Sequence, residues 1–214
     1  MNGLATKAAC GTAACGGVVG GSFLIKNSLN SEDKSLAAKL KDQKYKLLAF
    51  DNTHNNHWTS IASAYKEQTT SKADLKIQGI TISGTTESDL TALKGACKSI
   101  VEADFSKANH DLAIKWCVIP ETVSERISKD GKKVLKLDST DSNEKSSWTS
   151  LVTKHKEVQG TDKKFSDLTL NTATDDNEIS KLREKCKGIK DKKNYETDYD
   201  SSYQKFSDFC SVTI

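Results

Sequence analysis

The chain has 214 residues, enough for one domain or two small ones. It is 36% hydrophobic and 29% charged, a balance that allows most of it to be soluble and to build a core. The net charge is only +3, and lysines alternate with acids, as in "KLREKCKGIKDKKNYETDYD", so no nucleic-acid partner is predicted.

The N-terminus differs from the rest of the chain. The run "AACGTAACGGVVGGSFLI" (8–25) is uncharged, and a helix of this length would span roughly 27 Å, close to a bilayer's hydrocarbon core. Gly16 and Gly20 have the spacing that lets membrane helices approach closely. We predict that residues 1–30 form an uncleaved membrane anchor; the alternatives are a signal peptide, a lipid attached at Cys15 and a glycine-rich arm.

Lysines are unevenly distributed around this segment. Lys7 alone precedes it, and four lysines follow it, namely Lys26, Lys34, Lys39 and Lys41. The positive-inside rule would keep the large domain in the cytoplasm, although the rule counts short loops better than whole domains. This distribution opposes the extracellular location that the cysteines favour below.

The segment "EDKSLAAKLKDQKYKLLAF" follows the anchor and carries Leu36, Leu40, Leu47 and Leu48 at helical spacing. From its end onward, the sequence repeats itself. Three blocks recur in the same order: "LLAFDNTHNNHWTSIASAYK" (47–66) aligns with "VLKLDSTDSNEKSSWTSLVTKHK" (134–156), "DLTALKGACKSI" (89–100) with "EISKLREKCKGI" (178–189), and "KWCVI" (115–119) with "DFCSV" (208–212).

The repeat predicts the architecture. We expect a mainly α fold of two tandem related units, each with a Trp helix, a Cys helix and a closing helix. A first repeat with its leading helix would occupy residues 31–120, a linker helix 121–132, and a second repeat 133–214. Pro120 near the start of the linker and Gly131 at its end are typical of helix boundaries.

Apolar residues behind Trp58 and Trp148 recur at helical intervals, and the residue seven positions on is Tyr65 in one copy and His155 in the other. Asx and Thr residues stand before each stripe, and we expect them to cap the helix. Thr86 with Asp89 resembles a capping pair. The stripes, together with Trp116 and Phe209 in the closing segments, are predicted core anchors.

Two further segments are less regular. "LKIQGITISG" alternates Ile80 and Ile82 like a short strand, but the second copy lacks this pattern. Tyrosines and phenylalanines recur every three or four residues from Tyr195 to Phe209, which predicts an amphipathic closing helix.

His54 and His57, in "FDNTHNNHWTS", are weak candidates for metal ligands. The second copy has no histidine there and no third ligand is evident, so no metal site is predicted. A phosphate loop at "GITISGTT" lacks its lysine, and Cys97 with His110 is an isolated nucleophile–base pairing. No catalytic residue and no cofactor is therefore predicted.

Four cysteines occupy equivalent places in the two copies. Cys97 with Cys117, and Cys186 with Cys210, predict one structural disulfide in each repeat, which would form in an oxidising compartment. The alternative is four buried free thiols, because an unpaired cysteine packs as a small hydrophobe.

The small-residue N-terminus, the "W-x-x-[IL]" helices and "KWCVIPETVSERI" give the chain a resemblance to the large paralogous families of uncharacterised proteins of haemotropic mycoplasmas. The resemblance implies no enzymatic activity and no known ligand, and it suggests a membrane-associated product of an expanded gene family that is displayed to the host. We predict a membrane-anchored, extracellular protein for host-surface interaction or antigenic display. A cytoplasmic-side scaffold and an exported enzyme are the alternatives, and the oligomeric state is not predicted.

Overall fold

A computed structural model of the chain describes residues 34–138, 142–160 and 162–214. These residues form a mainly helical fold, as predicted, with eight α-helices and one two-stranded antiparallel sheet among them. The helices are α1 (Leu36–Asp42), α2 (Asn55–Ser71), α3 (Glu87–Glu102), α4 (Lys107–Trp116), α5 (Val123–Lys129), α6 (Lys145–Glu157), α7 (Asp176–Ile189) and α8 (Tyr199–Phe209). Strands β1 (Lys132–Val134) and β2 (Ser211–Thr213) form the sheet, and short 3-10 turns occupy Ala73–Leu75 and Ser142–Glu144.

The predicted anchor at residues 1–30, with Cys10 and Cys15, lies outside the described residues. Within the part of the chain that the structure does describe, no helix combines the length and the apolar character needed to cross a membrane.

Two hydrophobic clusters form the core, one in each half of the described chain. The first gathers the apolar faces of α1 to α4 around Trp58 and Trp116. The second gathers those of α5 to α8 around Trp148 and Phe209. All four predicted anchors are fully buried. The predicted linker helix is α5, and its Val123 belongs to the second cluster.

In each half, the segment that ends the half hydrogen-bonds to the segment that begins it. The backbone N–H of Leu48 donates to the carbonyl of Cys117 at 3.0 Å, and that of Leu135 donates to the carbonyl of Cys210 at 3.1 Å. These are aligned positions in the two copies. One residue earlier in each copy, an antiparallel bridge joins Leu47 to Val118, and the β1–β2 ladder pairs the equivalent residues.

A second pair of corresponding contacts lies behind the Trp helices. The Tyr65 hydroxyl accepts the N–H of Ile77 at 2.9 Å, and His155 Nε2 accepts the N–H of Phe165 at 3.2 Å. Each ring also meets the closing segment edge-on, with Tyr65 5.1 Å from Trp116. His155 lies 5.0 Å from Phe209 in the same arrangement.

A third pair lies at the start of the Cys helices. Asp89 in α3 accepts the N–H of Ser83 at 3.0 Å, and Glu178 in α7 accepts the N–H of Asn171 at 2.8 Å. Both residues are buried. The bond from Ser83 holds the pKa of Asp89 below its usual range, and a hydrogen bond from Lys181, together with that from Asn171, does the same for Glu178. Asp89 also completes the predicted capping box with Thr86.

The leading helix is shorter than the leucine spacing predicts. Helix α1 ends at Asp42, and Lys44 adopts the left-handed conformation at φ 64°. Leu47 and Leu48 then run extended, because their backbone pairs with the segment around Cys117. Long-range pairing therefore overrides the local helical pattern.

The capping expected at the Trp helices is wrong. Neither α2 nor α6 has a side-chain hydrogen bond at its N-cap. Asn52 and Asn55 instead accept hydrogen bonds from Lys94 Nζ at 3.2 and 2.7 Å, which ties the start of α2 to α3.

Two other segments differ from the expected elements. Ile80 and Ile82 lie in an irregular stretch, not in a strand. Helix α8 begins at Tyr199, so Tyr195 lies in the turn before the closing helix. Gly131 ends α5 as predicted, at φ 83°.

Candidate functional site

Both predicted disulfides are present. Cys97 bonds to Cys117 and Cys186 to Cys210, with Cα atoms 5.4 and 5.8 Å apart. All four residues are fully buried. Since Cys97 is oxidised, it cannot serve as a nucleophile with His110, and the cysteines have a structural role.

The two candidate histidines lie at the start of α2, His54 at its N-cap and His57 in its first turn. His54 Nδ1 accepts the N–H of Ala49 at 2.8 Å, so this nitrogen is already engaged. The rings of His54 and His57 lie 5.8 Å apart, and burial lowers the pKa of His57. Throughout the described residues, no group of three or more His, Cys, Asp or Glu side chains is placed to hold a metal ion.

The best candidate for a functional site is a cleft of about 950 Å³ lined by residues of both halves. Helices α1 and α4 contribute from the first half, and α5 and α8 from the second. Five cationic residues line it: Lys44, Lys107, Lys115, Arg126 and Lys129. Five acidic residues line it as well: Asp42, Asp74, Asp111, Asp130 and Asp200. The formal charges of the lining therefore cancel.

Arg126 organises the floor of the cleft. Its guanidinium is nearly buried, hydrogen-bonds both carboxylate oxygens of Asp130 at 3.1 Å and lies 4.2 Å from the centre of the Tyr45 ring. The Tyr203 hydroxyl donates to Asp130 at 2.6 Å. Burial alone would raise the pKa of Asp130, but these hydrogen bonds outweigh burial and lower it. Asp130 is therefore ionised over the physiological range.

A second layer of polar contacts supports Arg126 from below. Glu121 accepts Lys129 Nζ at 2.5 Å, and its other oxygen lies 3.8 Å from Arg126 Nη1. The backbone of Glu121 exchanges hydrogen bonds with Asn194, at 3.0 Å to the Asn194 side chain and 3.1 Å from its N–H. This layer fixes α5 against the turn before α8, so the floor of the cleft is preorganised.

Two tyrosine hydroxyls in the cleft remain without a partner. Neither Tyr45 nor Tyr199 donates or accepts a hydrogen bond through its hydroxyl with another described residue, although Tyr199 is only 6% exposed. Burial raises the pKa of both phenols, so both keep their protons. They can donate to, or accept from, a bound molecule.

Several charges of the lining are also unpaired. The carboxylates of Asp42, Asp74 and Asp200 make no hydrogen bond or ion pair with another described residue. Lys44 and Lys115 donate only to backbone carbonyls, at 2.8 and 3.2 Å. Burial lowers the pKa of Lys115, partly offset by the negative charge of Asp200. The cleft thus offers hydrogen-bond donors and acceptors side by side.

Comparison of the chain with protein-family models, curated proteins and solved structures finds no match in any of the three.

None of the residues predicted as sites lines the cleft. Cys97, Cys186, Trp58 and Trp148 are buried in the two cores, and His54 belongs to the loop before α2. The lining residues are separated by up to 161 positions, from Asp42 to Tyr203, and share no local spacing. Two lining residues stand out in the sequence: Arg126, one of only two arginines in a lysine-rich chain, and His110, considered above as a base for Cys97.

Proposed function

We propose that this chain is a membrane-anchored, surface-exposed, non-enzymatic protein that acts in host contact or antigenic display. The observation that carries the proposal is the pair of buried disulfides. Structural disulfides form and persist in oxidising compartments and are rare in the cytosol of mesophiles. Two bridges at equivalent positions therefore favour a domain that folds outside the cytoplasm, held at the cell surface by residues 1–30.

We further propose that the described chain contains two copies of one helical unit. Support comes from aligned positions that make corresponding contacts: a disulfide, a closing backbone hydrogen bond, and an acidic residue at the start of the Cys helix. A chain that diversifies by duplication fits membership of an expanded paralogous family, such as the haemotropic mycoplasma proteins that this sequence resembles.

The alternative location is the cytoplasmic side of the membrane, as a tethered scaffold or binding module. The lysines that follow the predicted anchor favour this orientation. The disulfides oppose it, because cytosolic thiols are kept reduced. An exported enzyme is the third candidate, and the polar cleft with Lys115 and Tyr199 is the observation that favours it.

Protease treatment of intact cells separates the two locations. If the domain is at the surface, added protease degrades it while a cytoplasmic marker protein stays intact. Survival of the domain until the cells are lysed would overturn the surface proposal.

Thiol labelling tests the redox state on which the proposal depends. In a chain carrying Cys10→Ser and Cys15→Ser, labelling of protein denatured directly from cells should find no free thiol. After reduction, the same experiment should find four, from Cys97, Cys117, Cys186 and Cys210. Four reactive thiols before reduction would favour the cytoplasmic alternative.

A further inference from the structure

We propose that the cleft above Arg126 binds a neutral oligosaccharide. The proposal rests on the proposed function in one respect, that the chain acts by binding, and it adds the site and the chemical class of the ligand. Three features of the cleft favour this ligand, namely its size, its charge balance and its unpaired polar groups.

Size sets the scale of the ligand. Pockets for small molecules and cofactors measure about 300–1,000 Å³. At about 950 Å³ the cleft stands at the upper end of this range and suits a molecule of several rings rather than a single small metabolite. Its floor is braced by the Arg126–Asp130 and Glu121–Lys129 pairs, so the site is largely formed before a ligand arrives.

Charge excludes ionic ligands. The lining carries five cationic and five acidic residues, so no net field draws in an anion or a cation. The most basic group, Arg126, is already neutralised by Asp130 and covered by the Tyr45 ring. A phosphorylated or polyanionic molecule would meet an Arg126 guanidinium that is buried and already paired with Asp130. A polycation would meet Lys44 and Lys115 within the same cleft.

The unpaired polar groups select a molecule that both donates and accepts at many points. Asp42, Asp74 and Asp200 can only accept, whereas Lys44 and Lys115 can only donate. The Tyr199 hydroxyl has no hydrogen-bond partner among the described residues and can do either. Hydroxyl groups arranged around an uncharged ring meet all three needs, whereas a peptide backbone offers one donor and one acceptor per residue.

The apolar part of the lining suits the carbon faces of a sugar. Tyr45, Tyr199 and Tyr203 present rings within the cleft, beside Leu75, Leu112 and Ile114. Tyrosine supplies apolar area and a polar tip together. Aromatic faces flanked by hydrogen-bonding groups match a molecule whose edges are polar and whose faces are not.

The test is direct binding to the oxidised, purified chain. Probes are neutral oligosaccharides of two to five units built from glucose, galactose, mannose, N-acetylglucosamine or N-acetyllactosamine, with glucosamine oligomers as cationic probes and galacturonate oligomers as anionic ones. Isothermal titration gives Kd, and NMR shift mapping gives the position. We expect at least one neutral probe to bind, with shifts centred on Tyr45 and Tyr199, and weaker or no binding of both charged series.

Two variants test the site, each with a matched control. Tyr199→Phe removes only the unpaired hydroxyl, and Asp200→Asn removes one unpaired charge. Each should weaken Kd by roughly fivefold to tenfold, the effect of one lost hydrogen bond. Tyr195→Phe and Asp191→Asn make the same changes four and nine residues away, outside this cleft, and should leave Kd unchanged. Thermal unfolding followed by circular dichroism checks that all four variants fold.

Each outcome bears on the proposal. The proposal would be overturned if no neutral probe bound, or if a charged series bound more tightly. It would also be overturned if an unmodified neutral peptide, included as a further probe, bound instead, or if site and control variants changed Kd equally. Where a neutral probe binds, binding is also measured to a glycoprotein that carries the same glycan, before and after glycosidase treatment. Binding that the glycosidase abolishes indicates a cell-surface source, whereas binding of the free sugar alone does not. If the domain is at the surface but binds no probe, this inference is wrong and the proposed function stands. If the domain is protected from protease but binds a sugar, the surface location is wrong and this inference stands.

Discussion

Tyr65 in α2 and His155 in α6 stand seven residues after their tryptophans, and both accept a backbone N–H from the loop behind their helix. Both rings meet the aromatic residue that ends the closing helix. The position therefore requires a buried aromatic side chain with a hydrogen-bond acceptor, and it tolerates two chemistries. The second half, however, carries a group that gains a proton under acidic conditions, which the tyrosine of the first half cannot do.

The two tryptophans differ in their hydrogen bonding. The Trp58 indole N–H donates to the carbonyl of Ala49 at 2.9 Å, whereas the buried Trp148 indole N–H has no hydrogen-bond partner among the residues that the structure describes. Arg183 lies 5.1 Å from the Trp148 ring, and the equivalent residue of the first half, Lys94, reaches Asn52 and Asn55 instead. The two halves therefore share their closing backbone hydrogen bonds, whereas the polar contacts around the two tryptophans differ.

Removing a disulfide should have the largest effect on the free energy of unfolding, and it tests whether the two bridges stabilise their halves equally. The bridges close loops of 20 and 24 residues, so removing either should cost roughly 3 kcal/mol of unfolding free energy. The variants are Cys97→Ala with Cys117→Ala, and Cys186→Ala with Cys210→Ala, compared in urea titrations with the oxidised parent. A substantial loss in one half alone would break the correspondence between them.

The next prediction concerns how the free energy of unfolding depends on pH, which should differ between Tyr65 and His155. Burial, aided by the charge of Lys164, lowers the pKa of His155 to about 4 from an ordinary value of 6.5. The unfolded chain binds the proton more tightly, so stability from this residue is fully present above pH 6.5 and is lost as the pH falls toward 4. The full loss is roughly 3 kcal/mol.

Reciprocal exchange isolates this effect. His155→Tyr should flatten the fall in unfolding free energy between pH 6.5 and 4, measured by urea titration at several pH values. Tyr65→His should make the same fall steeper, whatever it does to stability at neutral pH. Carboxylates that titrate in this range are common to all the proteins, so the difference from the parent reports the exchanged residue. Parallel pH curves for parent and His155→Tyr would contradict the assignment.

The smallest effect compares the two indoles. Trp58→Phe loses a hydrogen bond and leaves the Ala49 carbonyl without its partner, whereas Trp148→Phe removes a donor that is already unsatisfied. Packing losses should be similar because both rings are fully buried. Trp58→Phe should therefore be the more destabilising change by about 1 kcal/mol. Equal losses on thermal and urea unfolding would show that the hydrogen bond contributes little.

The sequence predicted those features that periodicity and repetition encode. Helical stripes behind Trp58 and Trp148 correspond to α2 and α6, and equivalent cysteines correctly paired Cys97 with Cys117 and Cys186 with Cys210. Thr86 and Asp89 gave the start of α3, because a capping box is a local pattern.

Features that depend on distant partners were missed. Leu47 and Leu48 fit a helix locally, yet they pair with residues around Cys117, and no nearby residue signals this. The β1–β2 ladder likewise joins Val134 to Ser211 across the second half. The cleft could not be predicted, because Asp42, Arg126 and Tyr199 come together only through packing of the two halves.

The backbone bonds from Leu48 to Cys117 and from Leu135 to Cys210 have an evolutionary consequence. In each half the chain departs beside the point at which it arrived, and a covalent crosslink lies next to that junction. A segment with adjoining ends can be gained, lost or exchanged in a gene without rerouting its neighbours. Recombination can therefore insert or delete one half as a single block, so length variants of this protein should differ by whole multiples of one half.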